Sequence, residues 1–137
     1  MYYLNFVISC IYHNIGHDIY DCCIHGLKKG KRRSFWGCLQ QLKQLTSDPI
    51  ILRTLKIVKD TTAIQTPDGR IYAWIRVALN LRVLDQALAL IINQKNNKNL
   101  SDYFDFDALS RCPEGSQIWL SMLAALNGVT FNFKYKF

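Results

Sequence analysis

The chain is poor in the residues that break or staple a polypeptide. Three prolines, seven glycines and five cysteines in 137 residues exclude a collagen-like protein, a linker and a disulfide scaffold. Only 20% of residues are charged and half are apolar, which excludes a disordered chain. Long apolar runs are missing too. The stretch from Met1 to Tyr12 is apolar, but Asn5 interrupts it and no basic residue precedes it. It therefore reads as a buried helix, not as a secretion signal or a membrane span of about 20 residues. Catalytic signatures are equally scarce. There is no Gly-x-Ser-x-Gly elbow, no phosphate loop with Gly-Lys-Ser or Gly-Lys-Thr, and no Gly-x-Gly-x-x-Gly fingerprint. Asp102, Asp105 and Asp107 cluster, but Ala108 follows where a calcium loop needs further ligands. Neither catalysis nor a cofactor is expected.

What remains is enough apolar chain for one core, so residues 1–137 read as a single domain. Its charge of +7 is uneven: residues 28–98 hold 14 basic and 4 acidic side chains, whereas 1–27 carries −2 and 99–115 carries −3. A basic middle points to an anionic partner, be it nucleic acid, an acidic membrane or an acidic protein surface. Cys10, Cys22, Cys23, Cys38 and Cys112 are odd in number, lack a C-x-x-C pair and have mostly apolar neighbours. They read as reduced core thiols of a cytoplasmic protein.

Hydrophobic spacing by threes and fours predicts helices almost throughout. Leu4, Val7, Ile8, Ile11, Ile15, Ile19, Cys22 and Cys23 share one face of a first helix ending near His25, with Gly26 as its stop. Ser34 is placed to cap a helix through Phe35, Trp36, Leu39, Leu42 and Leu45. Asp48 and Pro49 open a third helix, buried along Ile51, Leu52, Leu55 and Val58, with Arg53, Lys56 and Lys59 outward. Thr61 to Gly69 is a polar connector. A fourth helix then buries Ile71, Trp74, Ile75 and Ala78, and beyond a joint near Asn80 a fifth buries Leu84, Ala87, Leu88 and Ile91. Asn93 to Asn99 reads as a loop, Leu100 to Phe106 as an aromatic turn, and Asp107 as the cap of another. Pro113 opens a last helix through Ile118, Trp119, Met122, Leu123 and Leu126, which Asn127-Gly128 closes. Val129 to Phe137 alternates like a strand but has no partner strand, so an extended tail is expected. The fold class is all-α, a compact bundle of about six to eight short helices.

Three groups could carry function. His13 and His17, with Cys22, Cys23 and His25 nearby, have the spacing of a helix-borne metal site. Against it, the cysteines lie on the buried stripe and no second ligand cluster follows, so ordinary surface histidines are the expectation. Lys28, Lys29, Lys31, Arg32 and Arg33 form the densest charge, in a loop between two helices. Such a loop suits docking on phosphate, acidic lipid or an acidic protein, and otherwise serves solubility. On the fourth helix, Tyr72 and Arg76 lie on one flank opposite the core face, and Tyr and Arg commonly anchor interfaces. Nucleic acid is disfavoured because most aromatics fall on core stripes.

Several segments together resemble a RUN domain. They are Cys23-Ile24-His25-Gly26-Leu27-Lys28, Ser34-Phe35-Trp36, Gly69-Arg70 with Ala73-Trp74-Ile75-Arg76-Val77-Ala78-Leu79-Asn80, and Leu123-Ala124-Ala125-Leu126-Asn127 with Phe131-Asn132-Phe133. The likeness is strongest to RUN-and-FYVE adaptor proteins, through His25-Gly26-Leu27-Lys28, Ser34-Phe35-Trp36-Gly37, Lys59-Asp60, Thr66-Pro67 and Ala89-Leu90-Ile91-Ile92-Asn93. It spans about Ile15 to Phe133. Family domains commonly carry Gly-Arg where this chain has Ile71-Tyr72, and an acidic then a basic residue where it has Leu81-Arg82. They also usually extend further at both ends, so a shortened form is expected.

The resemblance implies a non-catalytic adaptor or effector of small GTPases of the Rab, Rap and Arf-like groups in membrane trafficking, cytoplasmic or peripheral on endosomal or vesicle membranes. Tyr72 would then replace the missing arginine as interface anchor. The candidate partner-binding residues are Lys28, Lys29, Lys31, Arg32, Arg33, Arg70, Tyr72, Arg76 and Arg82. The alternative partner is an acidic or phosphoinositide-bearing membrane, held by the loop 28–33. Trp36 and Trp74 are expected in the core.

Overall fold

A computed structural model describes residues 15–28, 35–93, 103–105 and 108–133. The expectations for Met1 to Tyr12, the Ser34 cap, the 93–99 loop beyond Asn93, the Asp107 cap and the last residues of the tail lie outside them. Among the described residues the architecture is all-α, as the spacing predicts.

Helix α1 (Ile15–Ile24) ends at a glycine that the geometry requires. Gly26 adopts φ 76°, a left-handed conformation costly for any residue with a Cβ, and an added Cβ would collide with Ala108. The close approach lets the chain form a clasp. Asp105 N–H donates to the Gly26 carbonyl at 2.8 Å, Leu27 bridges Phe104, and Lys28 N–H donates to the Tyr103 carbonyl at 2.8 Å. His25 completes it, its Nδ1 accepting the Leu109 N–H at 3.0 Å.

The single helix expected from Phe35 to Leu45 is two, α2 (Phe35–Leu39) and α3 (Leu42–Leu45). Between them Gln41 N–H bonds the Cys38 carbonyl at 3.1 Å and Lys43 N–H the Gln40 carbonyl at 3.3 Å. These i to i−3 bonds tighten the turn while the apolar spacing runs on across it, so periodicity alone does not reveal the break. Helix α4 (Pro49–Asp60) starts as predicted, the Asp48 carboxylate accepting the Ile50 N–H at 2.9 Å. Its lysines and Arg53 are exposed.

Helix α5 (Pro67–Asn80) begins earlier than the connector reading placed it. Thr66 is an N-cap, its hydroxyl accepting the Gly69 N–H at 3.0 Å, with Pro67 at the first helical position. Thr66-Pro67 thus repeats the device of Asp48-Pro49. This helix is the hub, packing against α1, α2, α4 and the following α6 (Leu84–Ile92). Ile71, Ala73, Trp74, Ile75, Val77, Ala78 and Leu79 are all buried. Trp74 is fully enclosed, and its indole N–H donates to the Thr54 hydroxyl at 2.8 Å, which donates in turn to the Ile51 carbonyl at 2.6 Å. The indole donor of Trp74 is thereby satisfied.

Arg82 closes α5 at φ 60°, where glycine is usual. Val83 N–H reaches back to the Ala78 carbonyl at 3.0 Å and Arg82 N–H to the Leu79 carbonyl at 3.1 Å, a Schellman-type stop. Helix α7 (Pro113–Ala125) then packs on α6 and ends in a 3₁₀ turn, Leu126–Gly128. Gln117 donates to Asn93 at 2.9 Å and Asn127 to Asp85 at 3.0 Å, pinning the pair at both ends. Trp119, Leu123 and Leu126 are buried, whereas Ile118 is 59% exposed. Residues 129–133 form no regular element, matching the expected extended tail.

Three core assignments need correction. Leu52 is only half-buried, because the enclosed face of α4 runs through Ile51, Thr54, Leu55 and Val58. Cys23 and Cys38 are buried, but Cys22 is half-buried and Cys112 is exposed, since it precedes Pro113 at the open end of α7. Trp36 is also only half-buried, because the α2 turn sets its ring toward Arg70, whose guanidinium carbon lies 6.0 Å from the ring centroid.

Candidate surface stripe on the central helix

From Ile71 to Asn80, α5 leaves only Tyr72, Arg76 and Asn80 outside the core. Their spacing of four residues stacks them along one line about 12 Å long. Tyr72 and Arg76 are half-buried instead of standing clear of the surface, because neighbours flank the line at each end.

At the N-terminal end α1 lies alongside. Tyr20 stacks on Tyr72 with ring centroids 4.3 Å apart and planes 15° from parallel, and its hydroxyl donates to the Asp68 carboxylate at 2.9 Å. His17 sits 6.3 Å from the Tyr72 ring, and its Nδ1 is 3.2 Å from a carboxylate oxygen of Asp21. Partial burial and the hydrogen bond to Asp68 push the Tyr20 phenol up to about 12. Burial also raises Tyr72, with Asp21 and Asp68 acting in the same direction and Arg76 opposing them.

At the C-terminal end the tail crosses. Asn80 donates through Nδ2 to the Phe133 carbonyl at 2.9 Å and accepts the Phe133 N–H through Oδ1 at 2.8 Å. One side-chain amide thus imitates a strand partner and holds the main chain whatever its side chain. Phe131 and Phe133 stack at 5.2 Å and pack on the core, and Arg82 donates to the Thr130 hydroxyl at 2.8 Å.

The nine residues singled out by sequence fall in separate places. Tyr72 and Arg76 are neighbours on the stripe, and Arg82 stands beyond its C-terminal end on the tail. Arg70 lies on the other flank of α5 beneath Trp36, with its Nε buried and unpaired. Lys28 ends the α1 clasp through its backbone, and Lys29, Lys31, Arg32 and Arg33 lie outside the described residues. The metal arrangement does not form among the described residues: Cys23 is buried, His25 already receives a backbone N–H, and no three potential ligands converge. His13 is outside them. Tyr20, Asp68 and Asn80 were missing from the sequence-based set, since each acquires its place from a partner some 50 positions away.

The fold therefore defines a class: an all-α bundle around one central helix that keeps a single line of side chains at its surface. A family model described as RUN domain matches residues 16–137. Protein RUFY3 of Mus musculus and that of Homo sapiens are each 35% identical over 120 residues, covering 84% of this chain and 24% of the relative. RUN and FYVE domain-containing protein 2 of Homo sapiens is 30% identical over 120 residues, covering 84% of this chain and 19% of the relative. The chain belongs to the RUN domain family. It spans about a quarter or less of the length of these relatives. Among the described residues, no helix is long and apolar enough to cross a membrane.

Proposed function

We propose that this domain is a non-catalytic docking module of an adaptor or effector, binding a small GTPase of the Rab, Rap or Arf-like groups in membrane trafficking. The observation that carries the reading is the stripe on α5. The family signature Ala73-Trp74-Ile75-Arg76 divides there into buried Ala73, Trp74 and Ile75, which hold the helix, and Arg76, which reaches the surface beside Tyr72. A half-buried Tyr-Arg pair on a rigid helix loses little side-chain entropy on binding and offers both apolar area and a charge. Arg82 and the tail extend the same face. Membership of the RUN family and likeness to RUN and FYVE domain-containing proteins support an adaptor role.

The test is a pull-down of purified GTPases from the Rab, Rap and Arf-like groups, each loaded with GTP or GDP. At least one is retained in its GTP form, and the combined Tyr72→Ala and Arg76→Glu changes abolish retention. Absence of nucleotide-dependent binding across the panel refutes the effector reading.

A further inference from the structure

The N-terminal end of the stripe carries the opposite charge from the rest of the molecule. In a chain of net charge +7, two carboxylates, Asp21 from α1 and Asp68 from α5, flank the stacked Tyr20–Tyr72 pair. Among the described residues, neither forms an ion pair with a lysine or arginine. Asp68 meets the Tyr20 hydroxyl and Asp21 meets His17. His17 and Asp21 keep 58% and 59% of their side chains exposed, and Asp68 is exposed. Both carboxylates act on both phenols, and Arg76 alone opposes them at Tyr72. Helix α1 thus adds an aromatic ring and a second carboxylate to a seam that α5 by itself would leave as Asp68, Tyr72 and Arg76.

Aromatic rings beside uncompensated carboxylates are the chemistry that receives a lysine or arginine side chain, through the ring electrons and a charge-assisted hydrogen bond together. We propose that the α1–α5 seam of Tyr20, Tyr72, Asp21 and Asp68 is a docking surface for a cationic, arginine- or lysine-bearing segment of a protein partner. Charge complementarity argues for that occupant over an acidic one. The basic middle of the chain, with 14 basic against 4 acidic side chains in residues 28–98, disfavours a cationic segment, so the seam helps fix where it lands. The inference rests on the reading of this face as a protein-docking surface, but not on the partner being a GTPase.

The experiment uses the whole 137-residue chain and two capped five-residue peptides, Gly-Arg-Gly-Arg-Gly and Gly-Glu-Gly-Glu-Gly, followed by NMR. The tyrosine ring resonances are assigned with Tyr20→Phe and Tyr72→Phe. The arginine peptide should shift the Tyr20 and Tyr72 rings while the glutamate peptide leaves them in place. Asp21→Asn with Asp68→Asn, isosteric and expected to keep the fold, should weaken the arginine peptide by about tenfold or more. Shifts that map elsewhere, that appear equally with the glutamate peptide, or that survive the double change would overturn the proposal. The same double variant in the GTPase pull-down separates the two readings. Peptide binding without any GTPase binding leaves the seam standing and removes the effector role. GTP-dependent capture unaffected by the double change leaves the effector role standing, and the seam then stands or falls by the arginine-peptide shifts.

Discussion

Asn80→Ala removes both hydrogen bonds that hold the tail against α5. The amide meets the main chain of Phe133 at 2.8 and 2.9 Å, and a neutral hydrogen bond contributes about 0.5 to 1.5 kcal/mol net. Two such bonds give about 1 to 3 kcal/mol. The site is only partly buried, so water replaces part of the lost pairing and the lower half of that range is expected from the bonds alone. The tail also carries the Phe131–Phe133 stack onto the core, and release of residues 129–133 would expose part of those rings, moving the total toward the upper half. Asn80→Asp is the sharper control. It retains the acceptor, deletes the donor and sets an anionic oxygen against the Phe133 carbonyl, so near neutral pH it should cost at least as much as alanine. Urea denaturation gives the stabilities, and hydrogen exchange at the Phe133 amide reports the clamp itself. An alanine variant within about 0.5 kcal/mol of the parent, with unchanged protection at Phe133, would refute the clamp.

Thr54→Val keeps the shape of α4 but leaves the Trp74 indole N–H without its acceptor in a fully enclosed site, so a loss of about 1 to 3 kcal/mol is expected in the same denaturation assay. Parent-like stability would mean that the indole finds another partner. Gly26→Ala should cost about 1 to 2 kcal/mol from its left-handed backbone alone, and more from collision with Ala108. Adding Ala108→Gly should recover only the part of the collision made with the Ala108 Cβ, since its Cα would still lie 2.7 Å from the new methyl, and full recovery would refute the backbone strain. The raised Tyr20 phenol links folding to alkaline pH. Its folded value is above the ordinary one, so its contribution is present below pH 10.0 and is lost as pH rises toward about 12. Ultraviolet titration should show delayed tyrosinate formation that Asp68→Asn reduces, and an unchanged curve would contradict the bond.

Much of this fold is written in local chemistry. Asp48-Pro49, Gly26, Pro113 and the three-and-four spacing each act within a single turn, so the helices they bound can be predicted one at a time. The break at Gln40–Gln41 escapes that logic because Leu39 and Leu42 stay buried on both sides of it. The early start of α5 was legible in Thr66-Pro67, but the proline-glycine turn signal of the same residues competed with it. Half of the stripe could likewise be read. Tyr72 and Arg76 follow from helical spacing, whereas the stacking of Tyr20, the carboxylate of Asp68 and the grip of Asn80 on Phe133 come from contacts between segments 48 to 53 residues apart. The His25–Lys28 motif, prominent by resemblance, is a clasp that its backbone pairings explain.

Docking of a protein partner through the Tyr72–Arg76 stripe is the proposal on which the functional reading turns. Calorimetric titration of the GTP-loaded GTPase retained in the pull-down, against the parent and against the combined Tyr72→Ala and Arg76→Glu variant at matched thermal stability, tests it most directly. Saturable binding to the parent and at least a hundredfold loss in the variant are expected, on the order of the 3 kcal/mol carried by hot-spot residues. Equal affinity in the two proteins would contradict it.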